Sequence, residues 1–66
     1  MNVLLNGEAT ELPEDVTVAE ILQRLGAPDR GVAVAVDSEV VPRGQWERTA
    51  IHAGARVEVV QAVQGG

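Results

Sequence analysis

A single stretch of this chain has the pattern of an α-helix, and it constrains the fold more than any other feature. Thr17 and Glu20 have the spacing of a capping box, in which each side chain accepts a hydrogen bond from an orphan backbone N–H. Gly26 supplies a left-handed C-cap, and Pro28 prevents continuation. The apolar positions between the caps lie on one helical face: Val18, Ile21, Leu22 and Leu25. A helix of roughly eight residues is about 12 Å long and unstable alone in water, so it must pack on a sheet.

The segment before the helix has the pattern of a β-hairpin. In residues 1–6, Val3 and Leu5 alternate with their neighbours at the period of a half-buried strand. Asn6-Gly7 is a strong hairpin signal, because both residues tolerate a positive φ. Residues 9–12 then return as a second, antiparallel strand, which Pro13 ends.

Three strands are predicted after the helix: residues 32–36, residues 39–41 and residues 56–63. Residues 43–49 are expected to be irregular, and residues 50–51 are expected to pair briefly with a neighbour. Trp46, the one aromatic residue, has two interpretations. Its large indole can close the open end of the core, or it can contact a partner.

The order of elements is therefore strand, strand, helix, strand, short strand, strand, with the last strand parallel to the first. This is an α+β, ubiquitin-like β-grasp fold, in which a mixed sheet of four or five strands packs on one helix. We expect one β-grasp domain over residues 1–63 and a flexible tail over residues 64–66. The predicted core comprises Val3, Leu5, Val18, Ile21, Leu22, Leu25, Val34, Val57 and Val59, with Leu12 and Ile51 at its margins.

Charge and composition exclude several classes of function. The 66 residues include ten acidic residues and five arginines, a formal net charge of −5, so nucleic-acid binding is not expected. An acidic surface favours a basic protein partner. The chain contains no cysteine, which excludes thiolate metal sites, and no lysine. No segment has the length or pattern of a membrane span or a secretion signal, so we expect a cytoplasmic protein that does not bind membranes.

Neither the histidine nor the acidic residues form a convincing site in the sequence. His52 has no evident companion for a metal site or a catalytic triad, so we interpret it as a solvated loop residue. An acidic run near the start of the chain comprises Glu8, Glu11, Glu14 and Asp15. That run is either a solvated face or a docking patch.

The end of the chain is the strongest functional candidate. Gly65 and Gly66 lack a Cβ, so they can enter a narrow channel and leave the terminal carboxylate unobstructed. The alternative is an ordinary frayed terminus. If Val57 and Val59 face the helix, the outer face of the sheet comprises Leu4, Ala33, Ala35, Glu58, Val60 and Ala62. This partly apolar face is either a partner-binding surface or ordinary exposure of scattered residues.

The segment from Val41 to Trp46 reads Val-Pro-Arg-Gly-Gln-Trp, and a glycine turn, a valine-rich strand and the terminal Gly65-Gly66 follow it. With the Asn-Gly hairpin and the short capped helix, this pattern resembles the ThiS family of thiamine-pathway sulfur carriers over nearly the whole chain. Members of that family often carry phenylalanine on the first and last strands, where Leu5 and Val60 stand here.

The resemblance implies a role for the tail. In that family an E1-like (ThiF-like) adenylyltransferase uses ATP and magnesium to activate the residue corresponding to Gly66. A sulfur donor enzyme converts the product to a thiocarboxylate, and a ThiG-like thiazole synthase takes the sulfur. The carrier binds no cofactor and is a covalent co-substrate rather than an enzyme. The residues expected to contact these partners are Gly65, Gln64, Val63, Val60, Ala62 and Leu4.

Three alternatives remain open at this point. The Gly-Gly end is also found in the molybdopterin-pathway carrier and in ubiquitin-like protein modifiers. Without lysine, the chain could be attached to other proteins but could not form lysine-linked polymers of itself. A noncovalent ubiquitin-fold interaction module is the third alternative, and in that case the glycines would be incidental.

Overall fold

A computed structural model describes residues 1–28 and 30–61 of the chain. Its elements are β1 (Asn2–Leu5), β2 (Glu8–Glu11), α1 (Val18–Leu25), β3 (Val32–Val36), β4 (Glu39–Val40), a 3₁₀ helix (Arg43–Arg48) and β5 (Arg56–Gln61). Five strands form one sheet in the order β2-β1-β5-β3-β4. None of the helices in this described part is long and apolar enough to cross a bilayer.

The sheet is mixed, as the sequence predicts, and β5 lies at its centre. β5 runs parallel to β1, with Leu4 opposite Arg56, and antiparallel to β3, with Val60 opposite Ala33. The two outer pairs are antiparallel hairpins. The predicted α+β fold with one helix on a mixed sheet is confirmed. The last strand is described only to Gln61, so the predicted extension to residue 63 and the tail at 64–66 lie outside the described residues.

Both predicted caps of α1 are present. The Thr17 Oγ1 accepts a hydrogen bond from the Glu20 N–H at 3.2 Å, and the Glu20 Oε1 accepts from the Thr17 N–H at 3.0 Å. Gly26 ends the helix in the left-handed conformation at φ 68°. The eight-residue helix therefore has fixed ends before any packing is counted.

The β1–β2 hairpin turn also joins the first strand to the last. Asn6 and Gly7 both have a positive φ, at 51° and 81°. The Asn6 Oδ1 accepts a hydrogen bond from the Val59 N–H at 2.8 Å, and the Asn6 N–H donates to the Val57 carbonyl at 2.8 Å. A residue predicted only as a turn former therefore extends the contact between β1 and β5.

The core differs from its predicted composition in three ways. Leu25 is 47% exposed, because it is the last residue of α1 and the chain turns away at Gly26. Leu12 and Ile51, expected at the margins, are buried, as are the unpredicted Val16 and Ala55. Leu5 and Val59 are partly buried and pack against the core. The other predicted members are buried: Val3, Val18, Ile21, Leu22, Val34 and Val57.

Backbone contacts explain why Val16 and Ile51 are buried. The Ile51 N–H donates to the Val16 carbonyl at 2.8 Å, and the Val18 N–H donates to the Thr49 carbonyl at 3.0 Å. The brief pairing predicted for residues 50–51 is an isolated bridge between Thr17 and Ala50. These contacts join the start of the helix to the segment before β5 and close the core between them.

The segment around Trp46 has a regular structure that was not predicted. Residues expected to be irregular form the 3₁₀ helix Arg43–Arg48. Trp46 is partly buried and packs against the core, and its Nε1 donates to the Val41 carbonyl at 2.9 Å. The interpretation of Trp46 as a closure of the core is therefore supported by its contacts.

Candidate functional site

The residues predicted to carry the chemistry follow β5. Gly66, Gly65, Gln64, Val63 and Ala62 lie outside the described residues, so the structure does not test their roles. The structure does describe the strand that leads to them. β5 is paired with β3 as far as its last described residue, Gln61, which stands opposite Val32.

β5 is the strand that precedes the predicted tail in the chain. The strand is held on both sides, by β3 through five residue pairs and by β1 through Leu4 and Leu5. Asn6 adds a side-chain contact to Val59 near the C-terminal end of the strand. The described part of the chain therefore ends on the central strand of the sheet rather than on an edge strand.

The predicted partner face divides into two parts. Leu4 is 40% exposed and Val60 is 62% exposed, as expected for outward side chains. Leu4 stands opposite Arg56, however, which is four residues before Val60 and about 13 Å away along an extended strand. Arg56 and Glu58 occupy the outer face between them. Leu4 and Val60 therefore do not form one continuous patch.

Val60 has different apolar neighbours, which we call the outer patch. Ala33 stands opposite Val60, and the next row of the same face contains Ala35 and Val40. Val40 is 74% exposed, more than any other large hydrophobic residue of the described ranges. Val40 was not among the predicted partner residues, although its alternation with Glu39 in β4 could have indicated its outward direction. The outer patch comprises Ala33, Ala35, Val40 and Val60.

His52 is exposed, as predicted, but it contacts a side chain that was not predicted as its partner. Its Nε2 lies 2.7 Å from the Asp37 Oδ2, and its Nδ1 lies 2.9 Å from the Ala53 carbonyl oxygen. The hydrogen bond to Asp37 raises the pKa of His52 above its usual 6.5. The pKa of Asp37 is lowered, first by the Arg56 N–H donated to its Oδ1 at 3.0 Å and then by His52.

Part of the acidic run faces the amino group of Met1. The ammonium donates to the Glu11 Oε2 at 2.9 Å and to the Leu12 carbonyl at 2.8 Å. Glu14 approaches the same ammonium at 3.7 Å. The hydrogen bond to Glu11 raises the pKa of the amino group above its usual 8.0. Two of the four acidic residues therefore contact this chain's own cation, which leaves only Glu8 and Asp15 for the alternative of a docking patch.

The described residues contain no cluster of three or more side chains that could hold a metal ion. The lining of a groove between α1 and the 3₁₀ helix includes the apolar residues Leu22, Ala27 and Trp46 and the charged residues Arg43 and Glu47. These side chains supply apolar contact and two opposite charges. They do not supply the convergent acid, base and nucleophile that catalysis requires.

Comparison with known proteins gives a consistent result along the whole chain. The model of the ThiS family matches residues 3–66. Sulfur carrier protein ThiS of Escherichia coli (strain K12) is 32% identical over 66 residues, which cover 100% of both chains. A thiazole synthase of Paramagnetospirillum magneticum is 33% identical over the same length, which is 100% of this chain and 20% of that protein.

Solved structures agree with the sequence matches. The crystal structure of the thiamine biosynthesis protein ThiS from Geobacter metallireducens superposes with a TM-score of 0.84 at 29% identity and covers 100% of both chains. The solution structure of a thiamine biosynthesis protein from the same organism gives a TM-score of 0.83 at 30% identity, covering 100% of this chain and 88% of that one.

Proposed function

The chain belongs to the ThiS family, and from that membership we propose that it is a sulfur carrier of thiamine biosynthesis that holds its sulfur on Gly66. The observation that carries the proposal is the extent of the match. The family model continues to residue 66, and the Escherichia coli carrier aligns with this chain from end to end. Gly65 and Gly66 therefore fall inside the matched region. The match to ThiS also favours thiazole formation over the molybdopterin pathway.

The proposed chemistry exchanges one oxygen of the Gly66 carboxylate for sulfur. A free carboxylate is a poor electrophile, so an E1-like adenylyltransferase first joins it to AMP. A carboxylate oxygen attacks the α-phosphorus of ATP, which is bound with magnesium, and pyrophosphate leaves. The terminal sulfur of a donor persulfide then attacks the acyl carbon and AMP leaves. A thiol reduces the resulting acyl disulfide, which releases the thiocarboxylate and leaves the donor sulfur in a disulfide with that thiol. The ATP and magnesium belong to the activating enzyme, and this chain is its co-substrate.

The reach of the tail fits this role. Five residues follow Gln61, and five residues span at most about 18 Å. The folded body can therefore dock outside an active site while the Gly66 carboxylate enters it. The two terminal glycines have no side chains, so the end of the chain can enter a channel that is too narrow for other residues.

We assign docking on the activating enzyme to the outer patch. Its members are apolar, they stand on β5 and the two strands on one side of it, β3 and β4, and two of them are well exposed: Val40 and Val60. An apolar patch bordered by a charged residue such as Glu58 is typical of a protein-binding surface. Leu4 belongs to a separate part of the face and contributes less.

A thiazole synthase is the proposed acceptor of the sulfur. In the Paramagnetospirillum magneticum relative, a region similar to this entire chain lies within a protein named thiazole synthase. Joining a carrier and an acceptor in one protein raises their effective concentration, which indicates that the two meet directly.

The proposal is tested by the mass of the chain after activation. Incubated with an E1-like adenylyltransferase, ATP, magnesium and a sulfur donor, the intact chain should gain the mass of one oxygen-to-sulfur exchange, and fragmentation should place it on Gly66. A chain lacking Gly66 should fold with the same thermal midpoint but gain no sulfur. Gly65→Val should behave nearly the same way, because a β-branched residue is bulky and restricts the backbone. Equal sulfur transfer to the chain lacking Gly66 would refute the proposal.

A further inference from the structure

We propose that this chain is built to resist acylation by its own activated C-terminus. It has no amine or thiol side chain, and carboxylates contact both its Met1 amine and its one imidazole. This inference rests on the proposed activation of Gly66. It concerns the side reaction that such an activation creates, rather than sulfur transfer itself.

The side reaction follows from the chemistry of an acyl-adenylate. An unprotonated amine attacks the acyl carbon of Gly66, a C–N bond forms, the C–O bond to AMP breaks, and the amine nitrogen loses a proton to solvent. The product is a stable amide, so that carrier can no longer be loaded with sulfur. An imidazole attacks in the same way, and the acyl-imidazole then hydrolyses, which wastes one ATP.

The sequence removes the side chains that react best. The chain contains no lysine, no cysteine and no tyrosine, although lysine is among the commonest residues of globular proteins. Its five basic side chains are all arginine. The guanidinium stays protonated, so it supplies positive charge without a nucleophilic lone pair. The sequence thus keeps cations on the surface while excluding side-chain amines.

Hydrogen-bond acceptors of the folded chain contact the amino group of Met1. Its ammonium contacts the Glu11 carboxylate at 2.9 Å, the Leu12 carbonyl at 2.8 Å and the Glu14 carboxylate at 3.7 Å. All three partners are acceptors, which favours the ammonium over the free amine. The nitrogen can attack a carbonyl only after it releases a proton and leaves these partners.

Hydrogen-bond acceptors also contact the imidazole of His52, at a different place in the fold. Asp37 contacts one ring nitrogen at 2.7 Å, and the Ala53 carbonyl contacts the other at 2.9 Å. Both partners are acceptors, so both contacts are hydrogen bonds only when each ring nitrogen carries a proton. The imidazolium has no free lone pair. The two remaining nitrogen nucleophiles are therefore each held by a carboxylate, on separate segments of the chain.

A purely structural role for these carboxylates predicts a different result from a protective one. If they only fasten the fold, removing them lowers stability without changing how a folded chain reacts. If they protect the two nitrogens, removing them increases nucleophilic reactivity in chains that remain folded. Reactivity of the folded chain toward an acylating reagent is therefore the deciding measurement.

The first experiment uses the N-hydroxysuccinimide ester of acetic acid as the probe at neutral pH. The Glu11→Gln/Glu14→Gln variant should be acetylated at Met1 several-fold faster than the wild type. Glu8→Gln is the matched control, because Glu8 lies on the same strand and makes no contact with the ammonium. Equal rates in the wild type and the double variant, with circular dichroism showing both folded, would overturn the assignment for Met1.

Diethyl pyrocarbonate tests His52 in the same way. Asp37→Asn should increase the rate of modification several-fold, while the remaining amide oxygen can still accept the Arg56 N–H and preserve the hairpin. Glu39→Gln is the control on the adjacent strand. Unchanged modification of His52 in Asp37→Asn would reject protection at this site.

The last experiment asks whether one added amine side chain is acylated during activation. Arg24 is exposed on the last turn of α1, and lysine has a similar helix propensity, so Arg24→Lys should fold normally. With the activating enzyme and ATP but no sulfur donor, this variant should accumulate amide-linked products one water lighter than two chains, and the wild type should not. Equal amounts in both would overturn the inference. Absence of pyrophosphate release from either chain would instead refute the proposed function, and the reagent rates would still decide whether the nitrogens are protected.

Discussion

Asp37 connects the β3–β4 turn to two other segments of the chain. It stands in the β3–β4 turn with φ 51°, its N–H donates to the Arg56 carbonyl at 2.8 Å, and its carboxylate contacts both Arg56 and His52. One short side chain thus joins the hairpin to the start of β5. Asp and Asn are the residues that tolerate this backbone conformation and offer acceptors at the right distance.

The Asp37–His52 pair predicts a particular dependence of stability on pH. The raised pKa of His52 makes its contribution complete below pH 6.5 and lost as pH rises through the higher folded value. The lowered pKa of Asp37 makes its contribution complete above pH 3.8 and lost as pH falls through the lower folded value. The loss of unfolding free energy in Asp37→Asn should therefore be larger at about pH 5 than at about pH 9.

Urea titrations of Asp37→Asn and of Glu39→Gln measure this difference. The control should lose the same small amount of stability at both values of pH, because Glu39 is exposed and contacts neither ring nitrogen. If the loss of unfolding free energy in Asp37→Asn does not depend on pH, then Asp37 stabilises the fold only through its hydrogen bond to Arg56.

The contact could not have been found in the sequence. Asp37 and His52 are fifteen positions apart in different turns, and their meeting depends on the register of β3 with β5. Residue types and local spacing carry no information about that register.

Among the elements, α1 shows which features depend on the local sequence and which depend on tertiary packing. The caps predicted from Thr17, Glu20 and Gly26 are all present, because capping depends on neighbouring residues only. The apolar stripe gives the correct face, but it does not say where the sheet ends beneath the helix. Leu22 is 7% exposed, whereas Leu25, one turn later, is 47% exposed.

Leu22→Ala and Leu25→Ala form a matched pair on this helix. Leu22→Ala should cost about 2–5 kcal/mol of unfolding free energy, because it removes a buried side chain and leaves a cavity. Leu25→Ala should cost about 1 kcal/mol or less, since much of its side chain is already in water. Denaturant titration with unchanged slopes would measure both, and equal losses would show that the end of α1 is packed more tightly than its exposure indicates.

The outer face of the sheet carries the prediction about docking. Val60→Glu introduces a charge into the outer patch and should weaken binding to the activating enzyme by roughly tenfold or more, the loss expected for a central contact. Leu4→Glu makes the same change on the other part of the face and should have a smaller effect. Calorimetric titration of both folded variants compares them. If Leu4→Glu is the more damaging change, docking uses the β1 side of the sheet instead.

At the scale of the whole molecule, the sequence predicted the order of elements, the mixed sheet and the parallel pairing of the first and last strands. It did not predict the burial of Val16 and Ala55. Val16 lies between the acidic turn and the helix cap, and the Ala55 carbonyl accepts the Leu4 N–H at 2.9 Å. Both are small residues in loops, where no periodic pattern exists. Their burial arises only when the segments on either side of α1 and β5 close over the core.

The pairing of β1 with β5 also affects when this protein can fold during synthesis. The two strands come from opposite ends of the chain, and Leu4 finds its partner at Arg56. A nascent chain therefore has no central strand until β5 has left the ribosome, and contacts between such distant segments form late. Chains released early would lack both the folded surface and the glycine end. Translation errors that truncate the chain before β5 would then yield unfolded chains, which proteases remove, rather than folded chains that occupy the proposed activating enzyme and accept no sulfur.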